Sequence, residues 1–270
     1  MSLYKKLRKI GGIILRVHWF PTLYINFRLF PIPTAIKLPF VVRSRVKFRK
    51  LDGRVQFNCP VRFGLVIIGK DVDNMPVSFA PTQIFIQGSL IINGPVIINK
   101  GANLVVWKNG IMELGEYVLI CSGVTLKAVK HVTVGKYAMI SSGCFIMDSN
   151  IHCIRNSKTG HIANPNSPIE IGDYCWLSMY AQVLGGAKIP TNSVLTRYCF
   201  VNKDIRSLGG GIFGGMPAKL LKPDRQRVIS FDIENKVHKF FMDYPDAEYY
   251  ESFIGPEIIT DDSVVRFFKV

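Results

Sequence analysis

Large aliphatic residues recur at every sixth position through the middle of the chain: Leu114, Ile120 and Leu126, then Val134, Ile140 and Ile146, then Ile171, Leu177, Val183, Ile189, Leu195 and Val201. Four positions after most of these anchors stands a compact residue, as at Val118, Val124, Ala138, Cys144, Cys175, Ala181, Ala187, Ser193 and Cys199. A helix needs apolar positions every three or four residues and a half-buried strand every second one, so a sustained step of six fits neither. It fits a solenoid of triangular cross-section, in which each hexapeptide supplies one flat side and one corner. The anchor then points into a narrow interior, the compact residue fits the corner, and three hexapeptides complete a coil whose strands stack in parallel on the next.

Departures from the step organise the rest of the chain. Upstream, Phe85, Ile91 and Ile97 keep it, and Val55, Val61 and Ile67 extend it further, so the coil is expected over residues 51–205. A slip of two between Leu126 and Val134 predicts a small corner bulge. The longer break between Ile146 and Ile171 predicts a loop at 148–168 that carries Asp148, His152, Arg155, Lys158 and His161. A polar excursion from a rigid coil is where chemistry is usually placed. Residues 1–50 are expected to hold an amphipathic helix and a lead-in. Residues 206–270 are expected to form a cap and extension, with a glycine-rich turn at Gly209–Gly215, a helical stretch from about 224 and an aromatic, irregular tail from Tyr244.

Composition narrows the setting. With 48% hydrophobic residues over 270 positions the chain can bury a substantial core, and a net charge of +15 favours anionic partners. The six cysteines form neither a Cys-x-x-Cys pair nor a zinc-finger spacing, and three of them fall in the compact corner set, which predicts reduced packing thiols in a cytoplasmic protein. Lys5, Lys6, Arg8 and Lys9 followed by an apolar run resemble the start of a signal peptide, but Gly11 and Gly12 interrupt the run and Arg16 ends it with no cleavage site after it. A basic amphipathic helix over about 2–18 remains. It could pack on its own protein or rest peripherally on the anionic inner face of a membrane. No nucleic-acid partner is expected, because the basic residues are spread along the chain and gathered at its ends, with no binding motif among them.

Four blocks carry a resemblance to a known family. Ile169-Glu-Ile-Gly-Asp-Tyr-Cys-Trp-Leu-Ser178 and Val183-Leu-Gly-Gly-Ala-Lys-Ile189 resemble the hexapeptide-repeat acetyltransferase signature. Phe145-Ile-Met-Asp-Ser-Asn-Ile-His152 and Gly215-Met-Pro-Ala-Lys219 resemble two further blocks of that family, in the expected order. The match runs over about residues 110–222 and is closest to the sugar O-acetyltransferase branch that includes the maltose, galactoside and capsule enzymes. It implies an all-β solenoid, a left-handed parallel β-helix with an N-terminal helix and a C-terminal helical extension. It also implies an acetyl-CoA co-substrate, a sugar acceptor, no metal, and a homotrimer with active sites between subunits.

By the same resemblance His152 is the general base, since an alcohol attacks a thioester only as its proton is removed. Asp148 orients that imidazole, binds an acceptor hydroxyl or closes a loop turn, and Trp176 lies beside the acceptor or the pantetheine arm. The donor contacts map onto Ser178 and Met179, onto Arg197, Asn202 and Lys203, and onto Pro217, Lys219 and Lys222. The small Ala-Gly-Ser run usual in the family stands here as Arg197-Tyr-Cys199, and its Thr-Lys as Asn202-Lys203. Two alternatives stay open: a non-catalytic or merely CoA-binding coil, and a zinc hydro-lyase in which His131, His152 and His161 converge.

Overall fold

The computed structural model describes residues 15–72, 80–250 and 262–270. Its centre is a three-sided coil of parallel strands arranged in sheets of nine, seven and six strands. Register shows why the step of six works. In the first sheet Ile98, Ile120, Ile140, Leu177, Leu195 and Phe213 stand one above another. In the second sheet the column is Ile84, Leu104, Leu126, Ile146, Val183 and Val201, and in the third it is Ile92, Leu114, Val134, Ile171 and Ile189. All of these are buried in one continuous core, as are the compact residues that follow them.

Two upstream expectations shift. The inward positions there are Ile84, Leu90, Ile92 and Ile98, one residue away from Phe85, Ile91 and Ile97. Phe85 instead stacks on Trp107 outside the coil, at a ring separation of 5.1 Å, and Ile67 and Ile97 belong to a separate outer cluster. Several consecutive residues are apolar in these strands, so periodicity alone does not fix which face turns inward. The parallel strands also begin earlier than 51: Phe40–Val42 opens the first sheet by pairing with Val66–Lys70.

Corners are set by steric need. Gly115, Gly135 and Gly172 stack where the third sheet turns into the first, and a Cβ on Gly135 would stand 2.5 Å from the Asp173 amide nitrogen. Two residues further on, Tyr117, Tyr137 and Tyr174 take left-handed backbone angles near +57°, and their rings stack at 5.0 and 5.5 Å.

An exposed first strand would offer unpaired backbone groups to any passing chain. Helix α1, Trp19–Leu29, removes that edge. The Asn26 side chain donates to the Phe40 carbonyl at 2.7 Å and accepts from the Phe40 N–H at 3.1 Å, and the Thr22 hydroxyl accepts from the Val42 N–H. After a short second helix, α2 (Ile32–Ala35), the chain enters the coil. At the far end Lys219–Pro223 turns back antiparallel on Gly211–Gly214. The C-terminal extension carries α3 (Phe231–Asp243) and α4 (Asp262–Phe267). Its Ile229, Val264 and Phe268 lie along the outside of the first sheet, against Ile67, Ile97, Leu119 and Tyr137. Among the described residues no helix is long and apolar enough to cross a membrane.

Candidate active site

From Leu126 onward the corner between the second and third sheets carries the breaks in the repeat. It bulges at Val129-Lys130, opens into the loop at 148–168 in the next coil, narrows to Gly185-Gly186 and ends at Asn202-Lys203. Backbone bonds tie these layers together: Ser167 N–H to Asp148 O at 2.9 Å, Gly186 N–H to Ser167 O at 3.3 Å and Lys188 N–H to Lys203 O at 3.3 Å. Successive coils lie about 4.8 Å apart. Asn202-Lys203 therefore stands roughly 10 Å beyond the root of the loop, on the same corner.

Asp148 anchors that root. It is wholly buried, and its carboxylate accepts from the amides of Val129 and Lys130, both at 2.7 Å, and of His131 at 2.6 Å. A buried carboxylate needs such a set of charge-assisted bonds to be tolerated. All three donors are backbone amides of the preceding bulge, so Asp148 does not orient the His152 ring.

The loop is a hairpin with antiparallel bridges at Ser149–Asn166 and Arg155–Ile162. Its tip turns on Asn156, whose Oδ1 accepts from the Lys158 and Thr159 amides. His152 follows Ile151, which has a left-handed φ of 61°. It is exposed, and its imidazole has no partner among the described residues. His161 is exposed on the same loop. His131 lies outside the third sheet with its Nε2 3.4 Å from Thr133 Oγ1. Among the described residues no three His, Cys, Asp or Glu side chains gather as a metal ion requires.

The remaining candidates fall into two groups. Trp176 lies on the outward face of the first sheet between Met139 and Val194, its indole N–H donating to Ser141 Oγ at 2.9 Å. Ser178 and Met179 follow at the corner between the first and second sheets. There the Met179 carbonyl accepts from the Tyr198 amide, and Arg197 lies over the Tyr180 and Tyr198 rings at 5.4 and 5.1 Å. Pro217, after a cis bond, together with Lys219 and Lys222, closes the same end of the coil, with the Ala218 N–H bonded to Phe200 O. Asn202 and Lys203 are exposed on the His152 corner instead. Within one chain, then, Trp176 and the root of the His152 loop belong to different corners of the triangle.

Burial pushes the thiols of Cys144 and Cys175 up to about 12 and that of Cys199 to about 11. They are packing groups, not nucleophiles. A groove of about 410 Å³ runs along the outside of the third sheet beside the loop root, lined by His131, Thr133, Pro168, Glu170 and Arg206 among others. Arg206 bridges Glu170 and Asp204 and holds the Asp204 carboxyl down to about 2. Thr133, Glu170 and Arg206 were not singled out from the sequence. For Thr133 and Glu170 the only signal there is a polar residue at an outward strand position, which any solvated strand also shows, and Arg206 lies past the last repeat in a short 3-10 turn.

No family model matches the chain. Among curated proteins it is 25% identical over 152 residues to WbbJ of Escherichia coli (strain K12), named as a lipopolysaccharide biosynthesis O-acetyl transferase. That match covers 53% of this chain and 76% of WbbJ. Among solved structures, the polySia-specific acetyltransferase NeuO aligns with a TM-score of 0.43 and 18% identity, over 84% of this chain and 91% of NeuO. AntD, an N-acyltransferase from Bacillus cereus in complex with dTDP and coenzyme A, aligns at 0.41 and 10% identity, over 79% of this chain and 98% of AntD. Over the matched stretch the chain is similar in sequence to WbbJ, and its hexapeptide step folds as a three-sided coil of parallel strands.

Proposed function

We propose that the protein is an acetyl-CoA-dependent O-acetyltransferase acting on a hydroxyl of a sugar or glycan precursor, with His152 as general base. The observation that carries this reading is an unpartnered, solvent-facing imidazole on a loop whose root is fixed by the buried Asp148 carboxylate. The neutral ring takes the acceptor proton as the hydroxyl oxygen attacks the thioester carbonyl. The new C–O bond forms, the C–S bond breaks, and CoA leaves as the thiol.

The donor would run along the corner that roots the loop, where Gly185-Gly186 lets it approach the backbone and Lys203 stands within a cofactor's reach as a phosphate partner. Trp176, Ser178 and Arg197 sit on a different corner, so they complete this site only if supplied by a neighbouring coil. That arrangement supports a homotrimer with active sites between subunits. The membrane contact expected of residues 2–18 falls almost entirely outside the described residues and has no part in this reading.

One feature favours a second reading, a non-catalytic coil. The Tyr180–Arg197–Tyr198 stack fills the corner where the family pattern has small residues. Thiol release from acetyl-CoA over a panel of sugars and nucleotide sugars separates the two. A transferase releases CoA with at least one acceptor, and His152→Ala lowers that rate by about 10²- to 10⁴-fold. A scaffold releases none with any acceptor and does not bind the donor.

A further inference from the structure

Helix α1 meets the coil through one face and carries an apolar stripe on another. Ile25 is buried on the coil side, beside the bonded Thr22 and Asn26. On the other side Phe20, Leu23, Tyr24 and Phe27 follow one another at helical spacing, and all four are exposed, Phe20 at 82% and Phe27 at 51%. Ile32 and Ile36 extend the patch. Among the described residues Phe48 packs on the Tyr24 ring at 5.6 Å, and Phe20, Leu23 and Phe27 stay exposed.

The described residues 15–50 hold eight Lys and Arg and no Asp or Glu, so this end of the coil is strongly cationic. Phe20, Tyr24 and Phe48 line a groove of about 740 Å³ together with Arg45 and Lys47. His18 and Ser44 separate it from a second cavity of about 510 Å³, walled by Arg16, Arg43, Lys70 and Lys100. Asp71, the acid on that wall among the described residues, is 4.0 Å from Lys100. Burial first and the neighbouring Arg43 second push the Lys70 amine down to about 8, and that amine donates to the Phe267 carbonyl at 2.5 Å.

We propose that this end of the coil docks on an anionic phospholipid surface, with the Phe20–Leu23–Tyr24–Phe27 stripe entering the interfacial layer and the Arg16–Arg43–Lys70 cavity receiving a lipid phosphate. Aromatic and aliphatic side chains beside a basic face are the composition that interface selects. A nucleic acid would use the charges but leave the stripe in water, and a second copy of the chain would set one strongly cationic end against another. The inference stands apart from acyl transfer.

The test is co-sedimentation of the full chain with vesicles of phosphatidylcholine alone and of phosphatidylcholine mixed with phosphatidylglycerol. Binding is expected on the anionic vesicles, weakening as salt screens the cations, with little on the neutral ones. Phe20→Ser/Phe27→Ser is expected to weaken it by about ten-fold or more, and Arg16→Gln/Arg43→Gln to flatten its salt dependence. Because both phenylalanines are exposed, the unfolding midpoint of the first variant should stay unchanged, which separates lost docking from misfolding. Equal binding to both vesicle types overturns the proposal. So does no binding to either, or a phenylalanine variant that loses an oligomer while vesicle binding persists.

Discussion

The Asp148 carboxylate accepts a hydrogen bond from the His131 amide at 2.6 Å, tying the first residue of the long loop to the corner bulge of the coil before it. Two breaks in the hexapeptide step that look unrelated in the sequence, between Leu126 and Val134 and between Ile146 and Ile171, are therefore one structural device. The bulge presents three amides in a row, and the loop supplies the anion that satisfies them.

Removing that anion leaves three part-buried amides without their acceptor. Asp148→Ala is expected to destabilise the fold by about 3 kcal/mol or more, read as a lower midpoint in urea, with Asp148→Asn between the two. A residue that served only to orient His152 would lower turnover and leave the midpoint in place.

The stacked glycines give a second test. Gly135→Ala sets a methyl against the Gly172–Asp173 backbone, where neither side can retreat without moving a coil. Overpacking of this kind is expected to cost about 1–3 kcal/mol, visible as a fall in Tm. A midpoint equal to that of the parent would show that the corner yields.

Thiol reactivity follows from burial. Near pH 8, a thiol pushed up to about 12 is ionised in about one part in ten thousand. Under native conditions iodoacetamide is therefore expected to modify the exposed Cys153 and leave Cys144, Cys175 and Cys199 intact, as read by peptide mass spectrometry. Rapid labelling of Cys175 would mean that the interior opens.

Much of the coil was legible because its interior is narrow: only a large anchor and a compact corner fit, so the sequence repeats wherever the geometry does. Legibility faded where geometry relaxed. At Phe85, Ile91 and Ile97 the neighbouring residues are equally apolar, and the inward phase cannot be told from the outward one. The loop was legible as the interruption itself, whereas His152 is singled out within it only by the block Phe145–His152 that resembles the family. The partners of Asp148 were not, since backbone amides from a different coil leave no trace in side-chain identity. The outward stripe of α1 was also missed, because Phe20, Leu23, Tyr24 and Phe27 read as core until the helix is seen to use its other face.

The proposed activity stands or falls first on the donor. The unfolding midpoint should be measured with and without acetyl-CoA for the native protein and for His152→Ala. At about 100 times its dissociation constant a ligand adds roughly 2.7 kcal/mol to the stability of the state that binds it. A clear upward shift in both proteins is expected, because the His152 side chain is exposed, its imidazole carries no structural bond, and its proposed role is on the acceptor's proton. No shift in either protein at millimolar acetyl-CoA would contradict the acetyltransferase assignment and leave the non-catalytic coil.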